Sequence, residues 1–133
     1  MKFGDQMAEL DLYLIGSVVT EANKVLQHEL KEGIGPYWID IEDEIEQSIL
    51  NGIKTHLAYV ERTGNALTPK ESHELWIREK DRLGWKYGPV KDVKLKEHPC
   101  FVSYLTLSKE QRLKDYLFSK LIEAFYLWNK END

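Results

Sequence analysis

Four histidines and one cysteine are the residues of this chain best suited to metal binding or nucleophilic chemistry. Their spacing argues against both. His73-Glu74 opens like the helix of a zinc protease, but Ile77 stands where the second histidine ligand would be needed. His28, His56, His73 and His98 show no metal-ligand spacing, and Cys100 alone cannot anchor a zinc site. Cys100 lies close to His98, yet residues that near in sequence rarely form a nucleophile–base pair. Gly84 and Gly88 are too sparse for a phosphate loop and do not open a helix.

A different constellation stands out. His73, Trp76, Lys80 and Leu83 recur at intervals of three and four, which places them on one helical stripe. The stripe runs directly into Gly84-Trp85-Lys86-Tyr87-Gly88-Pro89. Aromatic faces beside cationic groups can stack a planar ring while pairing an anion, as a nucleotide-like ligand requires. The competing reading is a core seam over which a lysine snorkels. It fits Trp76 best and leaves Trp85 open between core and ligand. Lys80 and His73 discriminate, because a core seam has no need of them. His56 reads as a satisfied core histidine on the stripe of Ile49, Gly52 and Ile53, and Gly52 as the site of a close helix contact. Asn23 is explained by a hydrogen bond to the long loop. The mixed-sign run from Lys91 to Glu97 reads as a solvated turn.

The elements that must position these residues follow from apolar spacing. A first helix is expected over 12–30 through Ile15, Val19, Ala22 and Leu26, capped by Asp11 and ended by Gly33, Gly35 and Pro36. A second runs over 41–60 with acids in its first turn, stopped by Gly64-Asn65. Thr68-Pro69-Lys70-Glu71 is a capping box with proline at the first helical position, leading a third helix to Gly84. The fourth begins at Ser108, with Gln111 in the capping-box position and Leu113, Leu117, Leu121, Ala124 and Trp128 down one face. Between the last two helices, 84–107 lacks helical period; short extended segments are expected around Trp85–Tyr87 and Phe101–Leu105. The fold class is mainly α: a small bundle of about four helices whose long loop carries short extended segments.

Size and charge bound the rest. The 133 residues make one domain, expected over 10–128 with flexible termini at 1–9 and 129–133. A net charge of −5 argues against a nucleic-acid-coating role, which needs clustered Lys and Arg. No apolar run approaches the roughly 20 residues that cross a bilayer. The acids in MKFGDQMAELDLYL disfavour a signal peptide. A lone cysteine suits a reducing compartment, so the expectation is a cytoplasmic protein with no membrane or nucleic-acid polymer as partner.

At this point the residues resemble a known family, the RyR domain. It occurs as paired repeats in the cytoplasmic part of ryanodine receptor calcium channels and singly in bacterial and phage proteins. The likeness is carried by His73, Trp76, Lys80, Gly84-Trp85, Tyr87-Gly88, Asp92, Lys96, His98-Pro99, Val102 and Tyr104, then Asp115-Tyr116. Upstream it continues through Ala22-Asn23, Asn51-Gly52 and His56-Leu57, so it covers roughly 10–125. Ser103 departs from a position that is often proline in the family, and the loop around Val93–Leu95 differs in detail. The resemblance implies a mostly helical, non-catalytic module with short strands in its loop. Pairing of repeats in the receptors implies that a lone copy could form a homodimer. The prokaryotic copies imply sensing of small nucleotide-derived ligands.

Three functions are therefore weighed. The first is a binding module for a small anionic, nucleotide-like ligand, using His73, Trp76, Lys80, Trp85, Lys86, Tyr87, Lys91, His98 and Tyr104, with no cofactor. It requires an open pocket reached by these side chains. The second is a structural or interaction domain that homodimerises without ligand, and it predicts that His73, Trp76, His98 and Tyr104 are buried and mutually hydrogen-bonded. The third is an enzyme, which requires a perturbed acid or base in a cleft.

Overall fold

The computed structural model describes residues 7–31 and 35–131, side chains from Leu12 onward. Four long helices carry the chain: α1 (Met7–Glu29), α2 (Asp43–Thr63), α3 (Pro69–Arg82) and α4 (Lys109–Glu131). α1 starts earlier than its apolar spacing predicts, so Asp11 lies within the helix instead of capping it. Met, Ala, Glu and Leu, all strong helix formers, supply the extra turn. Gly33 lies outside the described residues. A 3-10 turn at Trp38–Asp40 precedes α2 and delays its start by two residues from the expected Ile41. Gly64, at φ 78°, closes α2. The capping box at Thr68 is fully formed, with the Glu71 amide donating to Thr68 Oγ1 and the Thr68 amide to Glu71 Oε1. Of the terminal segments, residues 1–6, 132 and 133 are outside the described residues, while α4 runs on to Glu131 with Asn129 buried.

α1, α2 and α4 enclose the core. Leu12, Ile15 and Val19 meet Leu50, Ile53 and Leu57 around Ile122, ringed by Trp38, Phe118, Leu121 and Phe125. Burial of each large aliphatic side chain contributes about 1.5–3 kcal/mol. α3 lies outside this triad against α4. Ser119 on α4 donates to the Leu67 carbonyl, tying the α2–α3 turn to the bundle.

Two expectations about helix faces change. The buried face of α4 is built from Phe118, Ser119, Ile122, Phe125 and Asn129, with Leu121 of the expected leucine stripe packed beside it. α4 carries two apolar stripes, and the aromatic–isoleucine one meets α1 and α2. The other keeps Leu117 and Leu121 half-buried but leaves Leu113 48% and Trp128 66% exposed. At Gly52 a Cβ would meet only Phe118 at 3.7 Å, an ordinary contact, so close approach does not demand glycine there. Asn23 has no side-chain hydrogen bond within the described residues, so the expected bond to the long loop is not made.

The long loop is pinned by a two-residue parallel ladder, β1 (Lys86–Tyr87) with β2 (Glu97–His98). Asp92 and Glu97 bridge in the opposite sense, each amide donating to the other's carbonyl at 2.9 and 3.0 Å. Phe101–Leu105, expected as extended, instead turns into a 3-10 segment at Tyr104–Thr106. Ser103 and Thr106 share a hydroxyl hydrogen bond of 2.8 Å, local bonding that competes with a strand.

Candidate functional site

The end of α3 sets the site's geometry. Gly84 takes φ 88°, the Gly84 amide donates to Asp81 O at 3.0 Å and the Trp85 amide to Lys80 O at 2.9 Å. This is a Schellman motif, in which the third residue before the cap usually touches the second after it. Here those residues are Lys80 and Trp85, and the Lys80 ammonium lies 5.0 Å from the Trp85 ring centroid. A hydrophobic contact of the motif is thus replaced by a cation over an aromatic face. Trp85 is only 8% exposed, so its ring belongs to the packing.

Lys80 has no carboxylate partner within the described residues. Burial above all, and then the positive charge of Lys91, hold its ammonium below the ordinary lysine range; Glu79 and Glu44 offset this in part and Lys96 adds to it. Lys96 occupies the left-handed region at φ 54°, which turns its side chain back so that Nζ donates to Leu83 O at 2.7 Å and pairs with Glu44 at 3.5 Å. Lys80 thus has Lys91 and Lys96 as like-charged neighbours, with Glu44 paired to Lys96 and Glu79 close by. Lys86 is paired across the ladder with Glu97 at 3.9 Å, and Tyr87 is 55% exposed. Gly88 lies so close to Glu97 that a Cβ would sit 2.5 Å from Glu97 Cβ.

Beneath this surface lies a ring cluster. His73, 2% exposed, stacks on Trp76 with centroids 5.6 Å apart. Trp76 meets His98 edge-on at 5.0 Å and Phe101 at 6.3 Å; Tyr104 is 6.1 Å from His73. His73 Nε2 donates to Val102 O at 2.7 Å, and Nδ1 lies 3.3 Å from Asp115 Oδ2. Burial pulls the His73 pKa down most strongly, but the Asp115 and Val102 hydrogen bonds with the Asp115 charge outweigh it, and the net direction is upward. Both ring nitrogens donate in the imidazolium, so His73 clamps loop to α4. His98 Nδ1 accepts the Cys100 amide at 3.0 Å, and Cys100 Sγ donates to Gln111. His56 on α2 is set the other way: burial lowers its pKa from 6.5 to about 4, and its Nε2 contacts Ser72 Oγ at 3.3 Å.

The nine residues singled out from sequence thus divide. His73, Trp76, His98 and Tyr104 form the half-buried to buried cluster that fastens the loop, and Trp85 packs under Lys80. Lys80 lies near Lys91 and Lys96, whereas Lys86 and Tyr87 are exposed on β1. Two clefts, of about 450 and 320 Å³, are lined by other residues, at the α2–α3 groove and at the α2–α3 turn. Among the described residues no group of three His, Cys, Asp or Glu side chains converges as a metal site would require. No helix is long and apolar enough to cross a membrane within them.

Sequence reasoning missed Asp115, Lys96 and Ser72 as functional partners. Asp115 and Ser72 meet their histidines across helices, which no spacing rule encodes. Lys96 depends on a left-handed backbone that sequence signals at glycine and asparagine, not lysine.

A helical bundle that uses an internal histidine clamp to hold one long loop defines a small loop-presenting module. The RyR domain family model matches residues 54–129, more than half of the chain, which therefore belongs to that family. The match begins inside α2 and takes in α3, the long loop and nearly all of α4, so it contains the whole ring cluster and the lysines above it.

Proposed function

We propose that this chain is a non-catalytic binding module that recognises a small anionic, nucleotide-like ligand at the face formed by Lys80, Lys91, Lys96 and Tyr87. The observation that carries the reading is Lys80, an ammonium withdrawn from solvent onto the Trp85 ring with no hydrogen-bonded or ion-paired carboxylate, Glu79 and Glu44 acting on it only at a distance. Burial above all disfavours the charge on Lys80, the nearby Lys91 adds to this, and an incoming anion offsets it. Tyr87, exposed on the ladder strand, offers the stacking face that buried Trp85 does not. The His73 clamp and ring cluster hold the loop in place, which lowers the ordering cost on binding.

The test is thermal denaturation against nucleotides, dinucleotides and ADP-ribose derivatives. Ligand at about 100 times its dissociation constant adds roughly 2.7 kcal/mol, a shift of several degrees. Lys80→Met keeps the packing on Trp85 and should abolish the shift; Tyr87→Ala should reduce it. No shift across the panel removes the ligand reading.

A second reading, a homodimerising interaction domain, is favoured by the exposure of Leu113 on α4. Light scattering at tens of micromolar decides it. A dimer mass that falls to monomer in Leu113→Glu supports it; a monomer mass for the unaltered chain removes it.

A further inference from the structure

We propose that the groove between α2 and α3 is a separate small-molecule site, taking an elongated molecule with an acidic group at each end and a flat, neutral middle. α2 contributes Thr55, Ala58, Tyr59 and Arg62 to the groove, and α3 contributes Glu71, Glu74, Leu75 and Arg78. Each set follows the same intervals of three, one and three, so each is one continuous helix face. The cleft holds about 450 Å³ and lies within the roughly 300–1,000 Å³ of small-ligand sites.

Its charges are arranged unevenly. Arg62 stands in the last turn of α2, beside the turn to α3, while Arg78 lies two helical turns beyond Glu71 along α3. The arginines therefore bracket the cleft from opposite ends. Neither guanidinium has a hydrogen-bonded or ion-paired carboxylate within the described residues; Arg62 only overlies the Tyr59 ring at 5.4 Å. The two carboxylates between them are already occupied. Glu71 receives the Thr68 amide and hydroxyl at 3.0 and 2.9 Å, and Glu74 is 3.9 Å from Lys70. The pattern along the groove is unpaired positive, paired negative, unpaired positive. A ligand complementary to it places acids at both ends, where arginine forks bind carboxylate or phosphate in bidentate fashion. Its middle is neutral and lies against Tyr59 and Leu75.

The site shares no residue with the lysine face, so the two proposals fail separately. The experiment is a titration of the full chain with biphenyl-4,4′-dicarboxylate and, as control, biphenyl-4-carboxylate, followed by amide chemical shifts. The expected result is saturable movement confined to the α2 and α3 residues of the groove, with the diacid binding about 10-fold tighter than the monoacid, the scale of one charge-assisted hydrogen bond. Arg62→Gln and Arg78→Gln are surface changes and should each bring the diacid to monoacid affinity, while Lys80→Met leaves it unaltered. Equal affinity for the two probes, no saturable movement at millimolar probe, or loss of binding in Lys80→Met but not in the arginine variants would overturn the proposal.

Discussion

Asp115→Asn should destabilise the protein in a way that depends on pH, because the clamp it removes exists only while His73 is charged. His73 Nε2 is committed as a donor to Val102 O at 2.7 Å, so Nδ1 can donate to Asp115 at 3.3 Å only in the imidazolium. The folded pKa of His73 lies above its unfolded value of 6.5. Its contribution is therefore fully present below pH 6.5 and is lost as pH rises through the folded pKa. A hydrogen bond between buried charged groups contributes about 1.5–3 kcal/mol. At roughly 3–5 °C per kcal/mol for a domain of this size, Asp115→Asn should lower the melting temperature by about 5–15 °C at pH 6. At pH 9 the neutral ring turns its Nδ1 lone pair toward the Asp115 carboxylate, a repulsion that asparagine replaces with an amide donor. The deficit should then shrink or reverse. Circular-dichroism melts of both proteins at the two pH values, with NMR titration of the His73 ring, check this. A deficit equal at both pH values, or a His73 midpoint at or below 6.5, would refute the reasoning.

The other predictions concern the core and the loop anchor. His56 titrates in the opposite sense, since its folded pKa of about 4 lies below 6.5. Its contribution, on the order of 3 kcal/mol, is present above pH 6.5 and lost as pH falls toward 4; an NMR midpoint near 6.5 would contradict it. Gly52→Ala should raise stability by up to about 1 kcal/mol, because Phe118 leaves room for a methyl and alanine favours the helix. A lower melting temperature in that variant would mean that α2 and α4 pack too closely there for the argument. Trp85→Ala should cost about 3–5 kcal/mol in urea denaturation through lost burial, and an unchanged midpoint would place the ring in solvent.

Helix existence was legible because each helix carries its own signal in adjacent residues. The Thr68–Glu71 box and Gly84 mark α3 to within a residue, and the same Schellman geometry that stops the helix brings Lys80 onto Trp85. Faces were less legible. α4 has apolar residues at both 113/117/121 and 118/122/125, and spacing alone cannot say which stripe meets α1 and α2. The loop was legible as a region and obscure in detail, since its ladder pairs residues that only a folded chain brings together. Trp76 and His73 were rightly placed on one stripe, but the decision between pocket and seam rests on Asp115 and Val102, which approach from other elements. The residues that bind His73 are visible only after folding.

The division between scaffold and presented surface follows from where charge can be compensated. His73 can stay charged in the interior because Val102 and Asp115 take both of its protons. His56, offered only a serine hydroxyl at 3.3 Å, stays neutral instead. Lys80 has no such hydrogen-bonded partner: it lies at the edge of the packing over an aromatic face, with Lys91 and Lys96 nearby and Glu79 and Glu44 offsetting them in part. A cation in that position gains from an incoming anion what His73 already gains from Asp115. The buried histidines complete the fold from within, whereas Lys80 keeps its place at the edge of the packing, and the recognition proposed there rests on that difference.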